Sequence, residues 1–242
     1  MRTTTVIVGL CLCCLASSAP AQQQDPRIAD VTSRVIDAYG GEEALRSVHG
    51  YHASGGQLAM QSETPIRVER WFARPDRLRL ELAYPDHHET RITDGAQGWT
   101  GSSRESLEPA NAMKLQAMRL QTARLDTPLR LLEQKDEVEW RDTDTDGRAV
   151  LRVPIDTGLY INYHVDPDTW HITHVTMGMA GPPSMEFSAD YDDFREIDGV
   201  LIPFKEVTYA GGTVTSVYQM TAFEWNPKDL EDELSVGARN TY

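Results

Sequence analysis

The chain has 242 residues, 37 of them acidic and 23 basic, for a formal net charge of −14. That balance is against nucleic acid and anionic membrane surfaces as simple electrostatic partners. The length is enough for one large β domain with a substantial core.

The first 21 residues read as a secretory signal. Arg2 is the charged start, Val6 to Leu15 is the apolar core, and Ala19-Pro20-Ala21 has the small-x-small form of a cleavage site. The apolar run is shorter than the ~20 residues that span a bilayer. Cys11, Cys13 and Cys14 all lie inside this leader, so the exported chain has no thiol, disulfide or cysteine ligand. A lipid-modified cysteine is the rival reading. Leu12 before Cys13, where a small residue is needed, argues against it.

After a short polar leader, Asp25-Pro26 predicts a helix start, with aspartate as the cap and proline in the first turn. Ile28, Val31, Val35, Ile36 and Tyr39 fall on one helical stripe, Gly40-Gly41 stops it, and Glu42 to Val48 offers a second, shorter helix. Strands follow. Tyr51 to Met60 and Ile66 to Phe72 fit a hairpin, and Leu78, Leu80 and Leu82 alternate with Arg77, Arg79 and Glu81, the period of a half-buried strand. Pro75-Asp76, Pro85-Asp86 and Asp94-Gly95 are turns at meander spacing. Gly101 to Pro109 reads as a loop. Ala110 to Leu125, with Met113, Leu115, Met118 and Leu120 and no Gly or Pro, predicts a helix, continued irregularly after Pro128 through Leu129, Leu131 and Leu132. Strands resume at Glu137 to Arg141, Arg148 to Val153, Leu159 to Val165, Trp170 to Met177, Met185 to Tyr191, Phe204 to Tyr209 and Val214 to Phe223. The expected fold class is mainly β (α+β): a curved antiparallel sheet or half-open β-barrel of about ten strands covered by helices. Residues 22–242 form a single domain with no repeat and no linker.

Chemical motifs are few. Asp142-x-Asp144-x-Asp146-Gly147 matches the first half of a calcium loop, but its twelfth position is Val153 instead of a bidentate Glu, and a hairpin turn explains the same residues. Adjacent His87-His88, and His171 with His174 three apart in a strand, point to opposite faces and give no metal spacing; His164 takes the polar phase of its strand. Asp190, Asp192 and Asp193 read either as paired carboxylates or as a wet strand end. No nucleophile elbow, phosphate loop or dinucleotide fingerprint is present. No cofactor and no catalysis are expected.

Two stretches carry a resemblance. Trp71-x-x-Arg74-Pro75, the leucine strand, Pro85-Asp86, and Asp94-Gly95 followed by Trp99 resemble the periplasmic outer-membrane lipoprotein carriers, the LolA/LolB-like fold. Asp190-Tyr191 through Phe194 to Gly199-Val200 and Ile202-Pro203 is similar to broader lipoprotein-sorting relatives. With the N-terminal helix, the likeness spans most of the exported chain. It implies a periplasmic, non-catalytic carrier with an apolar cavity for the acyl chains of a lipoprotein or lipid. Partners would be that lipid or lipidated protein, with transfer proteins of the inner and outer membranes. On this resemblance the lining is assigned to Trp71, Leu78, Leu80, Leu82, Trp99, Met113, Met118, Ile161, Tyr163, Met185 and Phe187. The alternative is an envelope interaction or sensing module of the same fold, in which these residues are packed core.

Overall fold

A computed structural model describes residues 25–60, 62–179 and 186–237. The proposed signal segment with its three cysteines, and Met185, lie outside these residues.

Helix α1 (Pro26–Ala38) starts where the sequence places it: the Asp25 carboxylate accepts from the Arg27 N–H, with proline in the first turn. Its stripe of Ile28, Val31, Val35 and Ile36 is buried. Each such aliphatic side chain is worth about 1.5–3 kcal/mol when removed from water. Gly40 follows with φ +112°, and an added Cβ would sit 2.0 Å from the Gly199 carbonyl oxygen. Glycine is therefore what lets the end of α1 rest on a hairpin tip, and α2 (Glu42–Arg46) follows immediately.

Thirteen strands make one antiparallel sheet. The first half is β1 (Gly50–Ala59), β2 (Ile66–Ala73), β3 (Arg77–Ala83), β4 (His88–Asp94), β5 (Gly98–Ser102) and β6 (Glu105–Pro109). The second is β7 (Glu139–Thr143), β8 (Ala149–Asp156), β9 (Leu159–Val165), β10 (Ile172–Met179), β11 (Phe187–Ile197), β12 (Val200–Ala210) and β13 (Thr213–Trp225). Each half is a meander, and β1 pairs with β13 to join them. The sheet does not close: β6 and β7 are its free edges. Both edges are short and carry exposed charge, Glu105 and Glu108 on one and Glu139, Arg141 and Asp142 on the other. Such edges discourage pairing with another chain.

Between the halves run α3 (Ala112–Leu125) and α4 (Leu129–Glu133), then a single 3₁₀ turn at Lys135–Glu137. Helix α3 touches β4 and β5 on one side and β8, β9 and β10 on the other, so it bridges the gap that the open sheet leaves. Arg119 tethers it there, donating from Nε to the Gly95 carbonyl at 2.9 Å and pairing with Asp156. A last helix, α5 (Leu230–Glu233), packs on β1 and β2.

Three expectations change. Among the described residues there are thirteen strands instead of about ten, partly because Gly101–Pro109, expected as a loop, belongs to the edge hairpin of β5 and β6. Its polar sequence hid it, since an edge strand needs no alternating apolar face. Trp170 is a turn residue with φ +62°, and β10 starts at Ile172.

Candidate ligand cavity

Residues paired across an antiparallel ladder share a face, so the register fixes what points inward. Leu78, Leu80 and Leu82 pair with Phe72, Arg70 and Val68 of β2 and belong to the helix-covered face. Trp71 pairs with Arg79, Arg79 with Ile92, and Ile92 with Trp99. Both tryptophans therefore lie on the opposite face. Trp71 stacks on His52 with centroids 4.8 Å apart and packs beside Leu230 and Leu234 near α5.

A cleft of about 320 Å³ lies between α3 and the inner face. Leu80, Leu82 and Phe187 line it, joined by Leu120 from α3 and Met177 from β10. Ile161 and Tyr163 are fully buried in the main core instead. Leu78 belongs to the same core, and Met118 packs against Gly98 of β5. Met113, in the first turn of α3, is 79% exposed. Of the assigned lining residues that the structure describes, it brings together Leu80, Leu82 and Phe187 and disperses the others.

A second, smaller cavity of about 60 Å³ lies under the junction of α3 and α4, lined by Tyr51, Phe72, Leu129, Ile202 and Met220 among others. Between the two sits a charged knot. Arg70 of β2 places Nη1 2.8 Å from Glu206 Oε1, and Arg124 of α3 places Nη1 2.7 Å from Glu206 Oε2. All three side chains are at most 7% exposed. The Arg70 guanidinium also lies over the Tyr218 ring, 4.8 Å from its centroid. Burial pushes the Glu206 carboxyl up, but the Arg124 and Arg70 guanidiniums more than reverse this and hold it at about 2. Glu206 is therefore ionised at neutral pH.

These charged residues escaped the sequence analysis, although the signal was present. Arg70 follows Ile66 and Val68 in the inward phase of β2, and Glu206 follows Ile202 and Phe204 in the inward phase of β12. A charge at an apolar position of an alternating strand must be paired or functional.

A second ion cluster fixes the junction of α3 and α4. Asp126, 1% exposed, accepts from Arg74 Nε at 2.8 Å, with Arg130 at 3.9 Å; Glu133 pairs with Arg74. Burial pushes the Asp126 carboxyl up to about 6 against the pull of both arginines. Between pH 4 and 6 the folded chain then keeps a proton that the unfolded chain releases, so this group lowers stability as pH rises through that window. In urea titrations across pH 4–7, the stability difference between wild type and Asp126→Asn should fall up to about pH 6 and level off above it. A difference that grows with pH would place the carboxyl below its ordinary value.

The acidic motif 142–146 forms the turn between β7 and β8. Asp144 accepts from Arg148 at 2.8 Å and lies 2.8 Å from His164 Nδ1, and Asp146 pairs with Arg148. No group of three His, Cys, Asp or Glu among the described residues is placed to hold a metal ion. Asp190 is taken by His174 and Tyr209, Asp192 by Lys205 and Asp193 by Arg195.

No family model matches the chain. No curated protein matches it either. Solved structures do. A LolA superfamily protein from Nitrosomonas europaea aligns at TM-score 0.55 and 11% identity, over 80% of this chain and 92% of that one. A DUF1329 family protein from Desulfovibrio piger aligns at TM-score 0.55 and 8% identity, over 87% and 98%. A putative outer membrane lipoprotein-sorting protein domain from Vibrio parahaemolyticus aligns at TM-score 0.51 and 7% identity, over 86% and 96%. At such identities the likeness is one of architecture: this chain has the LolA-like fold, an open antiparallel sheet with helices across its inner face.

Proposed function

We propose that the protein is an exported, non-catalytic carrier that holds an acyl chain of a lipoprotein or lipid between α3 and the sheet, on its way to the outer membrane. The observation that carries this reading is the cleft of about 320 Å³, in which Leu80, Leu82, Leu120, Met177 and Phe187 form an apolar wall opposite polar groups such as Gln121, Ser188, Thr208 and Ser216, beneath a helix tethered across an open sheet. Ligand sites are typically concave, largely apolar and furnished with a few polar groups. Each methylene buried there is worth about 0.8 kcal/mol, so one chain can supply much of the affinity. The likeness in fold to the putative outer membrane lipoprotein-sorting protein domain from Vibrio parahaemolyticus supports the cargo class.

Native mass spectrometry of protein purified without detergent, followed by organic extraction, tests the reading. A discrete adduct of lipid mass that extraction removes is expected. A clean apo mass, with no uptake of added phospholipid or acylated peptide, overturns it and favours an interaction module with a packed core. Leu80→Asp sharpens the test. Leu80 is buried but pairs with Arg70 on one side and Arg91 on the other, so two cationic neighbours offset part of the cost of burying an aspartate there, and a folded variant is expected. The charge would obstruct an acyl chain. Loss of the adduct with an unchanged circular dichroism spectrum is expected; undiminished lipid content would remove this cleft from the binding path.

A further inference from the structure

The two cavities share a wall. Arg124 and Glu206 line both, Arg70 lines the smaller and Tyr218 the larger. This wall holds two guanidiniums and one carboxylate, so it carries one positive charge in excess, almost wholly removed from water. Uncompensated buried charge is costly. The same wall holds two buried polar atoms without a hydrogen-bond partner among the described residues, Arg70 Nε and Tyr218 Oη. Buried polar groups are ordinarily paired, and an exception calls for an explanation. Arg124 fronts both cavities, and with the excess positive charge and two spare donors packed directly behind it the wall describes the complement of an anion.

We propose that the Arg70–Glu206–Arg124 knot is a head-group site that takes the carboxylate or phosphate of a single-chain amphiphile, whose tail lies along Leu80, Leu82 and Phe187. The inference rests on the acyl-carrier reading and adds a head-group chemistry to it. Guanidinium groups suit both anions, because their planar N–H forks match paired oxygens. Arg91, the other cation on the cleft, already pairs with Glu89 at 3.2 Å, which leaves the knot as the excess charge.

Calorimetric titration of delipidated full-length mature protein with decanoate, decyl phosphate and decanol tests this. The three share a tail and differ in head. At least one anion should bind about ten-fold or more tighter than decanol, a difference of about 1.4 kcal/mol. The ratio of decanoate to decyl phosphate separates a fatty-acid head from a phosphate head. Arg70→Met, which leaves a neutral Arg124–Glu206 pair, should collapse the preference to within about two-fold while decanol still binds. Should that variant not fold, Tyr218→Phe keeps the ring over Arg70 and removes the spare hydroxyl; it should weaken the anion several-fold and leave decanol unchanged. Equal binding of decanol and both anions by the wild type overturns the head-group site but leaves the carrier reading standing. No binding of any of the three removes both.

Discussion

Glu206→Leu should unfold the protein 6–20 °C below the wild type at pH 7. The substitution conserves size but leaves Arg70 and Arg124 facing each other without their shared anion. Removing one partner of a buried ion pair costs about 3–5 kcal/mol, because the remaining charge is stranded. In a domain of this size each kcal/mol moves the melting point by about 2–4 °C. The triple variant Arg70→Met, Arg124→Leu, Glu206→Leu should behave differently. It strands nothing, and an apolar replacement of a whole buried triad is often neutral or stabilising by about 1–4 kcal/mol. What the triple variant loses is the guanidinium over Tyr218, a contact worth about 2 kcal/mol when desolvated. It should therefore melt near the wild type while having lost any head-group preference. A triple variant as unstable as the single one would mean that the knot contributes net stability, and its costly placement would then need no ligand to explain it.

The acid limb of the stability curve gives an independent check. Glu206 has a folded pKa of about 2, below its ordinary 4.5, so its contribution is complete above about pH 4.5 and is lost as pH falls towards 2. Wild type should lose stability steeply in that window, and Glu206→Leu should lose less. Asp126 has the opposite sign, with its window between pH 4 and 6. Chemical denaturation at half-unit intervals separates the two.

Much of this architecture is legible in the sequence because both its helices and its strands are half-buried. The stripe from Ile28 to Tyr39 and the alternation at Leu159–Val165 are direct imprints of a more exposed and a buried face, whereas at Leu78–Leu82 the alternation separates apolar from charged residues although Arg79 on the other face is buried too. Where an element lacks that contrast, the imprint is absent, as on β6, whose residues are mostly exposed. Parity is also lost at turns. Trp71 and Leu80 look like neighbours in a greasy stretch, yet the turn between β2 and β3 sets the register that pairs Trp71 with Arg79 and sends it to the far face. Trp99 is displaced in the same way by the turn before β5. Met113 belongs to a helix whose apolar residues are spread around it, so periodicity could not say which methionine faces inward. The charged knot was legible in part. Arg70 and Glu206 break the apolar phase of otherwise regular strands, but that they meet, 136 positions apart, depends on the order in which the strands assemble.

That assembly closes at one seam, and Gly55→Ala should break it. Gly55 lies on β1 at an irregularity in its pairing with β13. A Cβ there would meet the Gln219 carbonyl oxygen at 2.2 Å, the Met220 Cα at 2.9 Å and the Tyr218 ring at 2.9 Å. Two of the three obstacles are backbone in a paired strand, so relief requires β1 and β13 to separate or slide. Overpacking of this kind costs about 1–3 kcal/mol and more where backbone must move. Gly56 is the control. It is the next residue of the same strand, its added Cβ meets nothing within 4 Å, and its φ is not in the left-handed region. Gly56→Ala should be neutral or stabilise by up to about 1 kcal/mol through the unfolded chain. Urea midpoints of the two variants therefore diverge in opposite directions from the wild type. The consequence reaches the cleft, because the third obstacle is the ring of Tyr218, which lines it. A β1 forced away from β13 would move Tyr218 off Arg70, so Gly55→Ala should weaken decanoate binding even at temperatures where it stays folded. Equal midpoints for Gly55→Ala and Gly56→Ala would show that the seam tolerates a side chain, and that the close approach of β1 to β13 is not what holds the two meanders together.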